Sequence, residues 1–445
     1  MAICRIVLSL GFFQSIGWRP FALACVWALT HAAMASGSES YKRVGAQTCG
    51  QSTCHAASAP WLNSAVRQNE YHVWKSRDRH AKAYDALGTE NARKIAAKLG
   101  IENPATENLC LNCHADNVGS ELRGRNFDIA DGVTCETCHG GAERWLATHL
   151  SGTTFPGENY EAGMYRTANP LARAELCMSC HVGNTSNVSH RLLGAGHPRT
   201  PFELDTYSVS QPAHFMLDAD YAARKPISNE VTVWATGQLA QARKMLERLV
   251  QLTEKPAYAF TEFSLLDCHG CHQPRNWSSA TLKYGGIPRF NDAHYVMTGI
   301  VAKRLNPALG NRIERQIGRL HAAAGEGWQA THDASEALRQ SIDELAAAIT
   351  NTTLDHRDAA ALMNAVLQVV DSGRPNNYLL IEQSVLAVGT LIDAQRSAGA
   401  LSGAQYRNMR KELDRCYSAT EDDEAVALDV VKSAFSNMRK ALPAS

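Results

Sequence analysis

The pentapeptides CLNCH at 110, CETCH at 135, CMSCH at 177 and CHGCH at 268 repeat one arrangement, two thiols three positions apart with an imidazole directly after the second. One chemistry asks for that spacing. Two cysteines in one turn can add to the two vinyl groups of a porphyrin, and the adjoining histidine then reaches the metal as an axial ligand. At this chain's cysteine and histidine frequencies chance would supply roughly 0.01 such matches, so coincidence does not explain four. Disulfides suit an exported chain and paired C-x-x-C units bind zinc. Neither requires a histidine after the second cysteine four times over.

A fifth cluster, TCGQSTCHA from Thr48 to Ala56, has two extra residues between its cysteines but keeps His55 directly after the second. Taken alone, Cys49 and Cys54 suit a disulfide equally well. The expectation is five covalently attached haem c groups with their iron. Cys49, Cys54, Cys110, Cys113, Cys135, Cys138, Cys177, Cys180, Cys268 and Cys271 would form the thioethers, with His55, His114, His139, His181 and His272 as proximal ligands.

Bis-histidine iron needs a second imidazole at each site. The chain has 17 histidines; without His31 near the N-terminus and the five motif histidines, eleven remain, more than five sites need. A spare histidine is more often a surface or core residue than a ligand, so each is weighed by its surroundings. In RLLGAGHPRTPFELDTYSVSQPAHF, residues 191–215, Gly194 and Gly196 permit close backbone approach to a flat ring and prolines stiffen an irregular segment. His197 and His214 are therefore ligand candidates, with His294 in FNDAHYVMTG a weaker one.

The order of segments resembles the tetrahaem cytochrome c-554 family over about residues 45–185. It runs from the first cysteine cluster through WKSRDRHAKAYDAL at 74–87, LCLNCHADN and GVTCETCHGGAERW to His149 and LCMSCHVGN. In that family small c-type haems relay electrons from hydroxylamine oxidation. The resemblance implies that His80 and His149 are distal ligands. His72 competes with His80 but lies about 12 Å away along a helix, so the two cannot serve one iron. The chain departs from the small family in its C-x4-C-H site, a longer segment before His80, and a fifth motif followed by a helical region. These additions are similar to proteins related to hydroxylamine oxidoreductase and pentahaem nitrite reductase. The latter's C-x-x-C-K motif is absent, which disfavours that activity.

Arg5 and Arg19 precede the apolar run FALACVWALTHAAMA and the polar SGSES, a pattern suited to signal peptidase. Residues 1–35 are read as a signal peptide, placing the protein in the periplasm with no stable membrane span after cleavage. Removing those two arginines leaves 42 Lys plus Arg against 44 Asp plus Glu, about −2, which argues against nucleic acid as a partner.

Apolar residues from Asn229 to Leu252 follow helical spacing, and so do the series Leu338–Ile349, Leu362–Val369, Ile381–Ile392, Tyr406–Cys416 and Leu428–Met438. No strand-period segment of any length stands out. The expected fold is mainly α, a multihaem cytochrome c fold with a haem-packed, loop-rich N-terminal domain and a C-terminal helical bundle. Its divisions are 36–225 with four haem sites, 226–305 with a helix and the fifth site, and 306–445 as the bundle, which could cover the last haem or face a partner or a second copy. Cys416 falls on an apolar stripe and reads as a buried thiol. The expected function is electron relay between redox partner proteins. The alternative is an oxidoreductase acting on a small nitrogen or sulfur compound at a haem without a distal histidine, so the number of facing imidazoles decides between them.

Overall fold

The computed structural model describes residues 41–442 except 63–65, 152–155, 184–187, 255–261, 273–288, 351, 372–376 and 422–425. The signal-peptide reading at 1–35 lies outside them. Among the described residues the secondary structure is helical, and strand-like pairing is confined to two isolated bridges, Arg43 with Arg123 and Leu266 with Phe290.

The first half consists of short helices joined by irregular chain: α1 (Ala46–Cys49), α2 (Glu70–Arg77), α3 (Glu90–Leu99), α4 (Asn108–His114), α5 (Cys135–His139), α6 (Trp145–Leu150), α7 (Pro156–Glu161), α8 (Pro170–His181), α9 (His190–Gly194), α10 (Leu204–Ser210) and α11 (Ala219–Arg224). Short helices need capping, because the end groups are a large share of their backbone. Thr89 accepts from the Ala92 amide at the start of α3, Asn169 from Ala172 before Pro170 in α8, and Ser189 from Leu192 in α9. Buried apolar residues here form separate small groups, such as Ala46, Trp74 and Ala81, or Leu87, Leu111 and Ala115. Side chains alone give this half no continuous core.

The second half is a bundle of long helices: α12 (Glu230–Thr253), α13 (Ala293–Leu305), α14 (Pro307–Glu326), α15 (Trp328–Thr350), α16 (His356–Leu367), α17 (Tyr378–Ser397), α18 (Gly403–Thr420) and α19 (Leu428–Ala441). Their apolar stripes meet in one core running from Val231 to Met438, with Leu338, Ile342, Leu345, Leu413 and Phe435 fully enclosed. Each such side chain contributes about 1.5–3 kcal/mol through lost contact with water. Cys416 lies in this core, and burial pushes its thiol up to about 12. Helix α12 joins the halves: it packs on α13 and α15 and also against α8 and α10.

At that junction Asp205 is buried and accepts the Thr390 hydroxyl at 2.9 Å. Burial, then the nearby Glu203 and Glu230, push its carboxyl up to about 7, with Arg173 and the Thr390 bond opposing. A carboxyl raised on folding stabilises below its unfolded pKa, and that contribution is lost as pH rises through the folded value. Unfolding measured from about pH 4 to about pH 8 should therefore show Asp205→Asn gaining on the parent protein by up to about 4 kcal/mol as the pH rises. A difference that stays constant across that range would mean the carboxyl titrates normally.

Candidate functional site

The fold brings each of the five motif histidines face to face with one other imidazole. In chain order, site 1 pairs His55 with His149 at 5.9 Å between ring centres and site 2 pairs His114 with His197 at 6.3 Å. Site 3 pairs His139 with His214 at 6.4 Å, site 4 His181 with His80 at 6.3 Å, and site 5 His272 with His190 at 6.2 Å. These separations exceed that of a direct hydrogen bond between two imidazoles, about 5 Å between ring centres. A metal–nitrogen bond of about 2.0 Å on each side of an iron, plus about 1.1 Å from each nitrogen to its ring centre, separates two trans imidazole centres by roughly 6.2 Å.

The outer ring nitrogens are occupied as ligation requires. His55 Nδ1 bonds Glu70 at 2.9 Å, His80 Nδ1 bonds Asp78 at 2.9 Å, and His114 and His197 use Nδ1 on the carbonyls of Ala83 and Pro198, each at 2.8 Å. Such bonds orient a ring and leave Nε2 to face the partner imidazole. Burial lowers His139 and His181 to about 4, keeping both neutral with a lone pair to donate. Asp78 is pushed upward by burial, but its bonds from His80 and Gln211 bring it down to about 2.

Local folding sets each ring. Sites 2, 3 and 4 end helices α4, α5 and α8, so one helical turn presents both cysteines and the histidine. Site 5 is a tighter turn in which the His272 amide donates to the Cys268 carbonyl at 2.8 Å. Site 1 closes the same way across two more residues: the His55 amide donates to the Cys49 carbonyl at 3.1 Å, while Gln51, Ser52 and Thr53 are exposed. The widened loop thus bulges into solvent and leaves the ends of the motif in the same relation.

His80 stands in a turn capped by Asp78, and its carbonyl accepts the Val133 amide at 3.0 Å. Gly132 makes this approach possible, with φ 74° and a position where a Cβ would lie 2.8 Å from that carbonyl oxygen. Glu136, one of the two residues between the site 3 cysteines, is buried and accepts the amides of Val44, Gly45 and Ala142 at 2.7–2.8 Å. It ties site 3 to the chain entering site 1. The sulfurs place sites beside one another: Cys135 lies next to Cys49, and Cys113 next to Cys180.

The histidine candidates sort as follows. His80, His149, His197 and His214 each face a motif histidine. His294 does not: it is buried in the bundle, where Nδ1 bonds Gln238 at 2.8 Å, and the imidazole facing His272 belongs to His190. His72 is exposed with Nε2 on the Ala56 carbonyl at 3.2 Å. Gly196 serves the backbone, since its φ of 105° turns the chain out of α9 toward His197; a Cβ on Gly194 would meet nothing. Sequence reasoning also missed Glu136, because a buried acid inside C-x-x-C-H looks like any variable residue.

The arrangement fits haem c and does not fit the competing chemistries. Among the described residues no two cysteines form a disulfide, and no three His, Cys, Asp or Glu side chains converge as a zinc centre requires. In the first half the buried apolar residues form small separate clusters beside the imidazole pairs, packing that a large flat apolar group such as haem would suit. Among the described residues no helix is long and apolar enough to cross a membrane. Residues 48–140 match the family described as cytochrome c554 and c-prime, a stretch that includes sites 1 to 3 up to His139 and also His80. No curated protein and no solved structure matches the chain. With the family match over residues 48–140, the mainly α fold and the paired imidazoles together, the chain is a c-type cytochrome, resembling the cytochrome c554 family and binding haem c covalently in a redox role.

Proposed function

We propose that the protein is an exported pentahaem c-type cytochrome that relays electrons between redox partner proteins in the periplasm, with residues 1–35 as its signal peptide. The observation that carries this reading is that every motif histidine faces a second imidazole, so no site keeps an open position for a substrate. Bound haem c supplies a reversible one-electron Fe(III)/Fe(II) couple. The chain's residues hold the imidazole pairs in place and set the order of sites.

That order follows from contacts. Sites 1 and 3 meet through Cys49 and Cys135, sites 2 and 4 through Cys113 and Cys180, and Cys138 of site 3 lies near Cys177 and Cys180 of site 4. Site 5 adjoins site 2 through α9, which starts at His190 and precedes His197. Electrons would therefore pass along 1–3–4–2–5 in either direction. The division proposed is a four-site domain at 36–225, a helix with the fifth site at 226–305 and a bundle at 306–445, the last either covering site 5 or facing a partner or a second copy.

EPR of the oxidised holoprotein tests the reading. Imidazole planes near perpendicular leave two iron d orbitals close in energy and spread the g values widely, whereas near-parallel planes separate them. Sites 2, 3 and 4, with planes at 79°, 89° and 85°, should give strongly anisotropic low-spin signals. Sites 1 and 5, at 19° and 33°, should give rhombic ones. The reduced protein should not bind carbon monoxide. A high-spin signal or a carbon monoxide adduct in the parent protein would favour an oxidoreductase with an open site.

A further inference from the structure

Site 5 is assembled from stretches far apart in sequence, and one buried cation touches all of them. Arg248 of α12 is 4% exposed. It donates from Nη1 to the Val182 carbonyl at 3.2 Å, and from Nη2 to the Val188 carbonyl at 2.6 Å and the Ser264 hydroxyl at 3.4 Å. Val182 follows the site 4 ligand His181, Val188 lies two residues before His190, and Ser264 lies four before Cys268. Glu262 closes the same clasp: one carboxylate oxygen accepts the His190 amide at 2.8 Å and the Ser264 amide at 2.9 Å. The Phe263 ring stands edge-on to His190 at 5.4 Å.

Two features separate Arg248 from an ordinary structural arginine. No carboxylate pairs with it at ion-pair distance among the described residues, and its Nε has no hydrogen-bond partner. A buried guanidinium with only neutral acceptors costs stability unless the assembled state needs its charge or its reach. Burial indeed lowers its proton affinity, with Glu262 and Tyr295 opposing. It also places a positive charge between site 4 and site 5, which favours whichever redox state carries less positive charge.

Resting on the reading of CHGCH as a fifth haem site, we propose that Arg248 is its positioning residue: it holds His190 over His272 and raises the reduction potential of the neighbouring iron. The helix supplying it, α12, packs on both halves of the chain, so it organises this site as well as joining them. Lysine can keep the charge but cannot span three acceptors in a fork.

The experiment compares the holoprotein with Arg248→Met and Arg248→Lys by EPR, carbon monoxide difference spectra and potentiometric titration. In Arg248→Met one haem of five should become high-spin and bind carbon monoxide, at lower potential, with the other four unchanged. Arg248→Lys should recover most of the potential but only part of the low-spin signal. Five unchanged low-spin signals and potentials in Arg248→Met would overturn the proposal, as would a loss of stability that moves all five signals together. If Arg248→Met does not fold, Glu262→Gln loosens the same clasp and should weaken the same single signal; no change there overturns the proposal. Failure of the underlying fifth-site reading would show earlier, as four haem additions in the intact mass of the parent protein.

Discussion

His190→Ala will turn one low-spin haem into a high-spin haem that binds carbon monoxide, and His294→Ala will leave all the haem spectra as they are. The two residues separate ligation from packing cleanly. His190 presents its ring 6.2 Å from that of His272, with its backbone held by Glu262 and its helix capped by Ser189. Removing the imidazole opens one axial position without disturbing a core. His294 does the opposite work: burial lowers it to about 3, so it is neutral, and it bonds Gln238, which in turn donates to Gln383 at 2.9 Å. Its loss leaves a buried amide oxygen unsatisfied and a cavity, costing about 2–4 kcal/mol in stability. Visible and EPR spectra read the first effect and thermal unfolding the second. Spectral change in His294→Ala with none in His190→Ala would exchange the two assignments.

The intact holoprotein should weigh five haems more than its polypeptide, and the double change Cys49→Ser, Cys54→Ser should remove one of them. Four haems in the parent protein would leave the C-x4-C-H cluster without one. The structural reason for expecting five is that the wide loop preserves the relation between its ends. In both site 1 and site 5 the histidine amide reaches the carbonyl of the first cysteine, at 3.1 Å and 2.8 Å. The site 1 imidazole is also held by Glu70 and faces His149. Without its thioethers this site should lose its haem; site 3, whose Cys135 lies beside Cys49, would then lose a neighbour and its signal should shift as well.

Much of this was legible in the chain. Each apolar series from Asn229 onward became a helix because steps of three and four residues put one stripe toward a shared core: 229–252 corresponds to α12, Leu338–Ile349 lies in α15 and Ile381–Ile392 in α17. The motif histidines were legible as candidate proximal ligands because both cysteines and the histidine share one turn. The imidazoles that face them were harder, since they are recruited across the fold. His80 and His149 were found through the surroundings they share with a known family, and His197 and His214 through a segment rich in glycine and proline. His190 carried no local mark. The contacts that hold its segment come from Arg248, 58 residues later, and Glu262, 72 residues later, and no short-range pattern encodes either contact. His294 misled because it follows the fifth motif closely in sequence, while α13 carries it into the bundle interior.

Helix α9 has a consequence for how the protein tolerates change. It begins at His190 and ends three residues before His197, and Arg191 pins it to the end of α3 through the Leu99 carbonyl at 2.8 Å. Its five residues rise about 7.5 Å, and Gly196, at φ 105°, then turns the chain to His197. Insertion or deletion of a single residue within α9 would rotate one end of the helix by about 100° relative to the other, and so turn His190 away from the register set by Arg191 and the Gly196 turn. This short stretch should therefore tolerate length changes poorly, despite lying in a loop-rich region where such changes are ordinarily absorbed.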